Sequence, residues 1–313
     1  MCLEQVIFAE DIVKRYGDVS AVDGISFSVQ RGEIFGLLGP NGAGKTTTVR
    51  MLTGVISPSS GSISILGLDM PASANEIRKH IGVLPETANV YVDLTGQQNM
   101  ALFGNLYGLK KDAITERSAQ LLRKMNILEA SNRLAKTYSK GMKQRLSLSM
   151  TLMTDGEVLF LDEPTSGLDA ESAREIRGVI SEMADEGRTI LLTTHNMQEA
   201  QDLCSRVAVI NRGKIAAIDT PVNLRRTFEE RQSVVMQFAQ PIPKERIQAL
   251  AGVGEVFVTG PNVRCYTSDP GMVLTGLVEL AEELGIKVIS GSTETASLED
   301  VFLELIRSKG ERR

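Results

Sequence analysis

The chain has 313 residues, 42% hydrophobic and 23% charged, enough to bury a full core and to build one large and one small domain. A formal net charge of −5 gives no general attraction to nucleic acid or anionic lipid, and with no Trp and only 4% aromatic residues an aromatic-lined groove for bases or sugars is not expected. The three cysteines, Cys2, Cys204 and Cys265, stand in no paired-ligand spacing, which suits a reducing compartment and argues against a disulfide scaffold.

The first residues carry Glu4, Glu10 and Asp11 where a signal peptide needs a basic region and an unbroken apolar run. No apolar stretch reaches the roughly 18 residues a membrane span requires, so work at a membrane is expected to go through a partner. Ile25–Val29 alternates as a strand, Arg31-Gly32-Glu33 turns, and Ile34–Leu38 is a short apolar strand. A helix is expected to start within GAGKTTTVRMLTGVI and to end at Pro58 to Gly61. Ser62–Leu66 and Ile81–Leu84 read as further short strands.

From about residue 95 to 153 the pattern turns helical, with Met100, Phe103, Leu106 and Tyr107 at helical spacing, so a helical subdomain over about 88–155 interrupts an α/β core. Beyond it Glu157–Leu161, Ile190–Thr194 and Val207–Ile210 are nearly continuous apolar strands, as a parallel sheet covered on both faces requires. Residues 1–220 therefore form one nucleotide-binding domain. Residues 221–231 read as a charged connecting helix and 232–313 as a small α+β domain. In that domain the order β-α-β-β-α-β, then a final helix at Ser297–Ile306, is the split βαβ arrangement of a ferredoxin-like domain.

The strongest local signal is Gly39-Pro40-Asn41-Gly42-Ala43-Gly44-Lys45-Thr46-Thr47, a complete G-x-x-x-x-G-K-[ST] pattern between an apolar strand and a helix. Glycines let the backbone wrap around phosphates, and the amides of a helix N-terminus add a positive field there. Lys45 can reach the β- and γ-phosphates, and Thr46 can place its hydroxyl on Mg²⁺. Four apolar residues followed by Asp162 and Glu163 read as a buried strand ending at a polar rim, where ligands of open α/β sheets collect. Asp162 then meets the phosphate-bound Mg²⁺, and Glu163 orients and polarises the attacking water. His195, at the end of another apolar strand, can donate to the γ-phosphate and hold the water and Glu163 in line. His80 lies in a charged stretch and reads as surface.

With these motifs in order, the sequence resembles the nucleotide-binding domain of the ABC transporter family. Tyr138-Ser139-Lys140-Gly141-Met142-Lys143-Gln144-Arg145 is similar to the family's signature motif. Asp162 to Asp169 is similar to the end of Walker B joined to the D-loop, and Thr194-His195 to the switch-histidine loop. The resemblance covers roughly residues 3 to 219. It implies a P-loop NTPase fold, ATP and Mg²⁺ as cofactors, and ATP hydrolysis coupled to transport. It further implies that Tyr16 stacks on adenine and that Ser139 and Gly141 bind a γ-phosphate held by a second copy. Asp169 would lie at the subunit interface, Glu86 would take the Q-loop position, and an integral membrane permease subunit would be the other partner at the cytoplasmic face. No nucleic-acid partner is expected.

Two departures point within the family. The signature has Tyr138, Lys140 and Met142 where the commonest form has Leu, Gly and Gly, and Glu86 stands where most members carry Gln. An ionised Glu accepts only and adds charge near Mg²⁺, so Glu86 either touches the metal-bound water or serves mainly in the mobile link to the membrane partner. Both departures, and the tail Ser297–Leu305, resemble the exporter branch that includes drug and sodium ATPases.

Overall fold

In the computed structural model, which describes residues 4–226 and 232–294, the apolar runs lie side by side in a six-stranded sheet. Its order is Lys214–Asp219, Arg206–Asn211, Ile34–Leu38, Thr189–Thr194, Val158–Asp162, Ile81–Leu84. Every pair is parallel except the edge pair Lys214–Asp219 with Arg206–Asn211. Ile34–Leu38, Val158–Asp162 and Thr189–Thr194 are buried at every position, which is why their apolar runs do not alternate.

The strand expected at Ile25–Val29 is part of Val19–Gln30, in a second, antiparallel sheet ordered Val19–Gln30, Gln5–Tyr16, Ser60–Ile65, Leu68–Met70. Local periodicity does not reveal Gln5–Tyr16 because it bulges between Ala9 and Ile12. Asp11 sits there at φ 47°, its N–H bonded to Ser26 Oγ at 2.8 Å, and the alternation changes phase across it. The side chains of the two sheets and of the helix Lys45–Leu52 share one core around Ile7, Ile12, Phe27, Phe35, Leu52 and Phe160.

That helix ends six residues before Pro58, earlier than expected. Val55 N–H bonds Arg50 O at 2.9 Å and Gly54 N–H bonds Met51 O at 3.1 Å, the double closure that satisfies terminal carbonyls after a left-handed residue. The helical subdomain contains Gly96–Leu106, Lys111–Lys124 and Lys140–Thr151. A capping box starts the first of these: Gln98 N–H donates to Thr95 Oγ1 and Thr95 N–H to Gln98 Oε1. All three are inserted in sequence between Ile81–Leu84 and Val158–Asp162, which are neighbours in the sheet.

The chain parts into two compact units between Thr220 and Pro221. The second opens with the helix Pro221–Arg226, while residues 227–231 of the expected linker helix and the helix expected at Ser297–Ile306 lie outside the described residues. Its sheet runs Val256–Thr259, Asn262–Thr267, Gln232–Phe238, Val288–Glu294, with every pair antiparallel. The helices Lys244–Gln248 and Pro270–Glu283 join these strands around Val234, Met236, Phe238, Val273 and Leu277. The last strand begins at Val288, after Ile286 N–H has closed the preceding helix onto Ala281 O at 2.8 Å.

Candidate functional site

Parallel pairing brings four strand ends to one edge of the large sheet. Leu38 lies beside Thr194, Asp162 beside Thr193, and Leu84 beside Leu161. The segments that leave these ends are the glycine-rich loop, Glu163, His195 and Pro85-Glu86, so residues far apart in sequence converge there.

Backbone bonds at this edge hold the loop. Gly39 N–H donates to Thr194 O at 3.1 Å, Ala43 N–H to Pro40 O at 3.1 Å, and Ala43 O accepts from Gly213 N–H at 2.9 Å. Gly44 caps the helix Lys45–Leu52 at φ 108°, and a Cβ there would lie 2.6 Å from Ala21 O, so no other residue fits. The first N–H groups of that helix have no partner within it, and its first residues, Lys45 to Thr47, line the cleft. The cleft, about 390 Å³, is lined by Asn41, Gly42, Ala43, Gly44, Lys45, Thr46 and Thr47 together with Ala21, Glu86 and Glu163.

Beneath the loop the polar groups are interlocked. Asp162 is buried and its Oδ1 accepts from Thr46 Oγ1 at 3.2 Å and from Thr193 Oγ1 at 2.5 Å. Lys45, also buried, donates to Gly39 O at 2.7 Å and Pro40 O at 3.2 Å, with Glu163 Oε1 3.1 Å from its ammonium. The other Glu163 oxygen is 2.8 Å from His195 Nδ1. The buried lysine and glutamate supply each other's counter-charge, which offsets part of the cost of burying them. Glu163 has left the strand for φ 50°, unusual for a residue with a side chain, and its N–H is held by Thr193 O and Thr193 Oγ1, both at 3.1 Å. That turn aims its carboxylate back across the strand ends.

Other expected site residues lie outside this cleft. Tyr16, half-exposed, ends the strand Gln5–Tyr16, with Lys14 Nζ 5.4 Å from its ring centroid. Ser139 caps the helix Lys140–Thr151, its Oγ accepting from Met142 N–H at 3.1 Å, and Gly141 follows in the first turn. Thr193, Ala21 and Gln144 were missed by sequence reasoning. Thr193 is the last residue but one of the strand Thr189–Thr194, and its hydroxyl was the available signal. Gln144 Nε2 donates to Pro164 O at 3.0 Å, tying the signature helix to the loop after Glu163.

Gly141 also has a reason to be glycine within its own chain. A Cβ there would lie 2.4 Å from Ser172 Oγ, where this helix meets the helix Ala170–Asp185, whose N-cap Asp169 binds Ser172 N–H at 2.8 Å. Gly141→Ala should therefore cost about 1–3 kcal/mol of stability from overpacking, read as a shift in the urea midpoint. Ser172→Gly in the same chain should relieve most of the clash. ATPase activity that stays low after stability recovers assigns Gly141 a role beyond packing.

A glycine-rich phosphate loop at the strand ends of an α/β sheet, with a lysine in the loop and a carboxylate pair beside it, defines a P-loop nucleoside triphosphatase. Comparison with known proteins specifies which kind. A family model described as ABC transporter matches residues 22–166. Over 300 residues the chain is 37% identical to the Nod factor export ATP-binding protein I of Ralstonia nicotianae, covering 96% of this chain and 93% of that one. Among solved structures, an ATP binding subunit of an ABC transporter superposes with a TM-score of 0.65 at 29% identity, over 71% of this chain and 93% of that one. A dimeric ATP-binding cassette in a post-hydrolysis state, bound to ADP and Pi, superposes with a TM-score of 0.63 over 68% of this chain and 98% of that one; at 19% identity that likeness concerns the fold. The chain belongs to the ABC transporter family, as an ATP-binding and ATP-hydrolysing subunit.

Proposed function

We propose that this chain powers export across a membrane as one of two ATPase subunits that close head to tail over ATP and act through a separate integral membrane permease. The observation that carries the paired arrangement is the division of the site. One cleft gathers the phosphate loop, Glu86 and Glu163, while Ser139 and Gly141 lie outside it at the start of another helix. Ser139, Gly141 and the amides of that helix's first turn form an anion-binding end suited to the γ-phosphate held by a second copy. The name of the Ralstonia relative supports the export direction. No helix among the described residues is long and apolar enough to cross a membrane, which fits a peripheral subunit at the cytoplasmic face.

In this reading Tyr16 stacks on adenine, and Asn41 to Thr47 wrap the triphosphate. Lys45 exchanges its carbonyl partners for β- and γ-phosphate oxygens. Thr46 Oγ1 and Asp162 Oδ1, 3.2 Å apart, are the hydroxyl and carboxylate donors suited to Mg²⁺, which takes one or two protein ligands and completes its shell with phosphate and water. Mg²⁺ there would neutralise charge on the transferring phosphoryl group. Glu86, exposed on the cleft wall, serves the metal-bound water or the link to the permease. Glu163 accepts the proton of the attacking water, and His195 orients Glu163 and donates to the γ-phosphate. We assign residues 1–220 to the ATPase domain, 221–231 to a connecting helix and 232–313 to an accessory domain. Its β-α-β-β-α-β order and antiparallel sheet support a ferredoxin-like assignment.

Sedimentation of the Glu163→Gln chain tests the pairing. It should be a monomer alone and a dimer with saturating ATP, whereas adding Ser139→Arg should keep it monomeric by placing a long side chain at the partner's phosphate. A Glu163→Gln chain that stays monomeric at saturating ATP, both alone and with a co-purified permease, overturns the paired reading.

A further inference from the structure

Glu163 and His195 leave different strands and meet at 2.8 Å, yet His195 is half-exposed and packing alone does not fix it. Immediately beyond them the two loops are joined again. Thr165, two residues after Glu163, donates its hydroxyl to Glu199 Oε1 at 2.6 Å, and Glu199 lies four residues after His195. Both are buried, Glu199 to 1% exposure. We propose that Glu199 is a positioning residue for hydrolysis, whose bond to Thr165 holds the Glu163 loop and the His195 loop in the register that brings their side chains together. The proposal rests on the reading of Glu163 and His195 as the groups that act on water.

The local geometry sets this apart from ordinary helix capping. Glu199 is the third residue of the helix Met197–Leu203, whose N-cap Asn196 accepts from Glu199 N–H at 3.1 Å. A glutamate at that position usually turns back to the N-cap N–H in a capping box. Here Asn196 N–H is taken instead by Thr194 Oγ1 at 2.9 Å, and the Glu199 carboxyl turns inward to Thr165. Burial raises the Glu199 pKa, opposed by the hydroxyls of Thr165 and Thr194, while the nearby Glu163 charge raises it further. An apolar residue would fill this space without that desolvation cost, which the bond from Thr165 offsets here. The loop it holds is short and tight: Ser166 N–H bonds Glu163 O at 3.1 Å, and Leu168 N–H bonds Thr165 O at 3.2 Å. A shift at Thr165 therefore reaches Glu163 through one intervening residue, Pro164.

The experiment compares Thr165→Val, Thr165→Ser, Glu199→Ala and Glu199→Gln in the full chain by steady-state ATPase kinetics, equilibrium binding of labelled ATP and thermal unfolding, with Glu163→Gln alongside. Misplacing the reacting groups by a fraction of an ångström should lower kcat about 10- to 100-fold in Thr165→Val and Glu199→Ala, with ATP affinity unchanged. Thr165→Ser and Glu199→Gln keep a donor and an acceptor and should stay within about threefold of the parent, a ratio worth less than 1 kcal/mol. The double variant Thr165→Val/Glu199→Ala should be no slower than Glu199→Ala alone, because one shared bond is lost. If Glu199→Ala does not fold, Thr165→Val, which removes the same bond with little change in shape, decides the outcome. A lower melting temperature with unchanged kcat in folded Thr165→Val overturns the proposal while leaving the Glu163 reading intact. Full turnover in Glu163→Gln would instead overturn the reading on which it rests.

Discussion

Glu163→Gln is expected to lower turnover by about 10²- to 10⁴-fold, the usual contribution of a positioned general base, without weakening ATP binding. The amide can still meet His195 Nδ1, now 2.8 Å away, but it cannot accept a proton from water. Binding should hold or tighten, because the substitution removes a negative charge 3.1 Å from Lys45 Nζ, where the anionic phosphates are to bind. Phosphate release and equilibrium binding of labelled nucleotide separate the two effects. Unchanged turnover in the assembled transporter would remove Glu163 from the catalytic role.

Lys45→Ala should act on binding and on folding together. It removes the cation proposed to bind the β- and γ-phosphates, and losing one or two charge-assisted hydrogen bonds should weaken ATP affinity about 10- to 100-fold. It also leaves Glu163 buried without its ion-pair partner, which typically costs ~3–5 kcal/mol when a buried pair is broken on one side. Adding Glu163→Gln should restore much of that stability, since the orphaned charge is gone, without restoring ATP affinity. Denaturant unfolding checks the first statement and nucleotide binding the second. A Lys45→Ala chain as stable as the parent would mean that the His195 ring, 2.8 Å from the same carboxylate, is a sufficient partner.

Much of the site was legible because its signals are local. The pattern from Gly39 to Thr47 states its own chemistry: a turn glycine at φ 108°, a helix start, and a lysine and a threonine one after the other. Val158–Asp162 is an unbroken apolar run ended by acids, and only a buried strand reaching a polar edge accounts for that. Other features were hidden for stated physical reasons. The bulge at Asp11 shifts the alternation of Gln5–Tyr16, so period-two reading fails there. The helix after Lys45 stops at Leu52 through a closure centred on Gly54, which outweighs the more conspicuous Pro58. Glu199 carries no local signal of its contact, because its partner Thr165 is 34 positions away.

The residue order was enough to give the nucleotide-binding class, the family signature and the candidate residues for phosphate, since backbone conformation, burial periodicity and loop chemistry are properties of neighbours in the chain. What it left open is which strand ends stand together. Thr46 meets Asp162 across 116 positions and Glu163 meets His195 across 32, because the parallel sheet sets Val158–Asp162 beside Thr189–Thr194 and Ile34–Leu38 next to that. Such contacts arise from the packing of whole elements, in which hydrophobic burial is non-directional and many pairings satisfy the same apolar pattern. Folding selects one of them, and that choice brings a phosphate loop, two acids and a histidine together into a site.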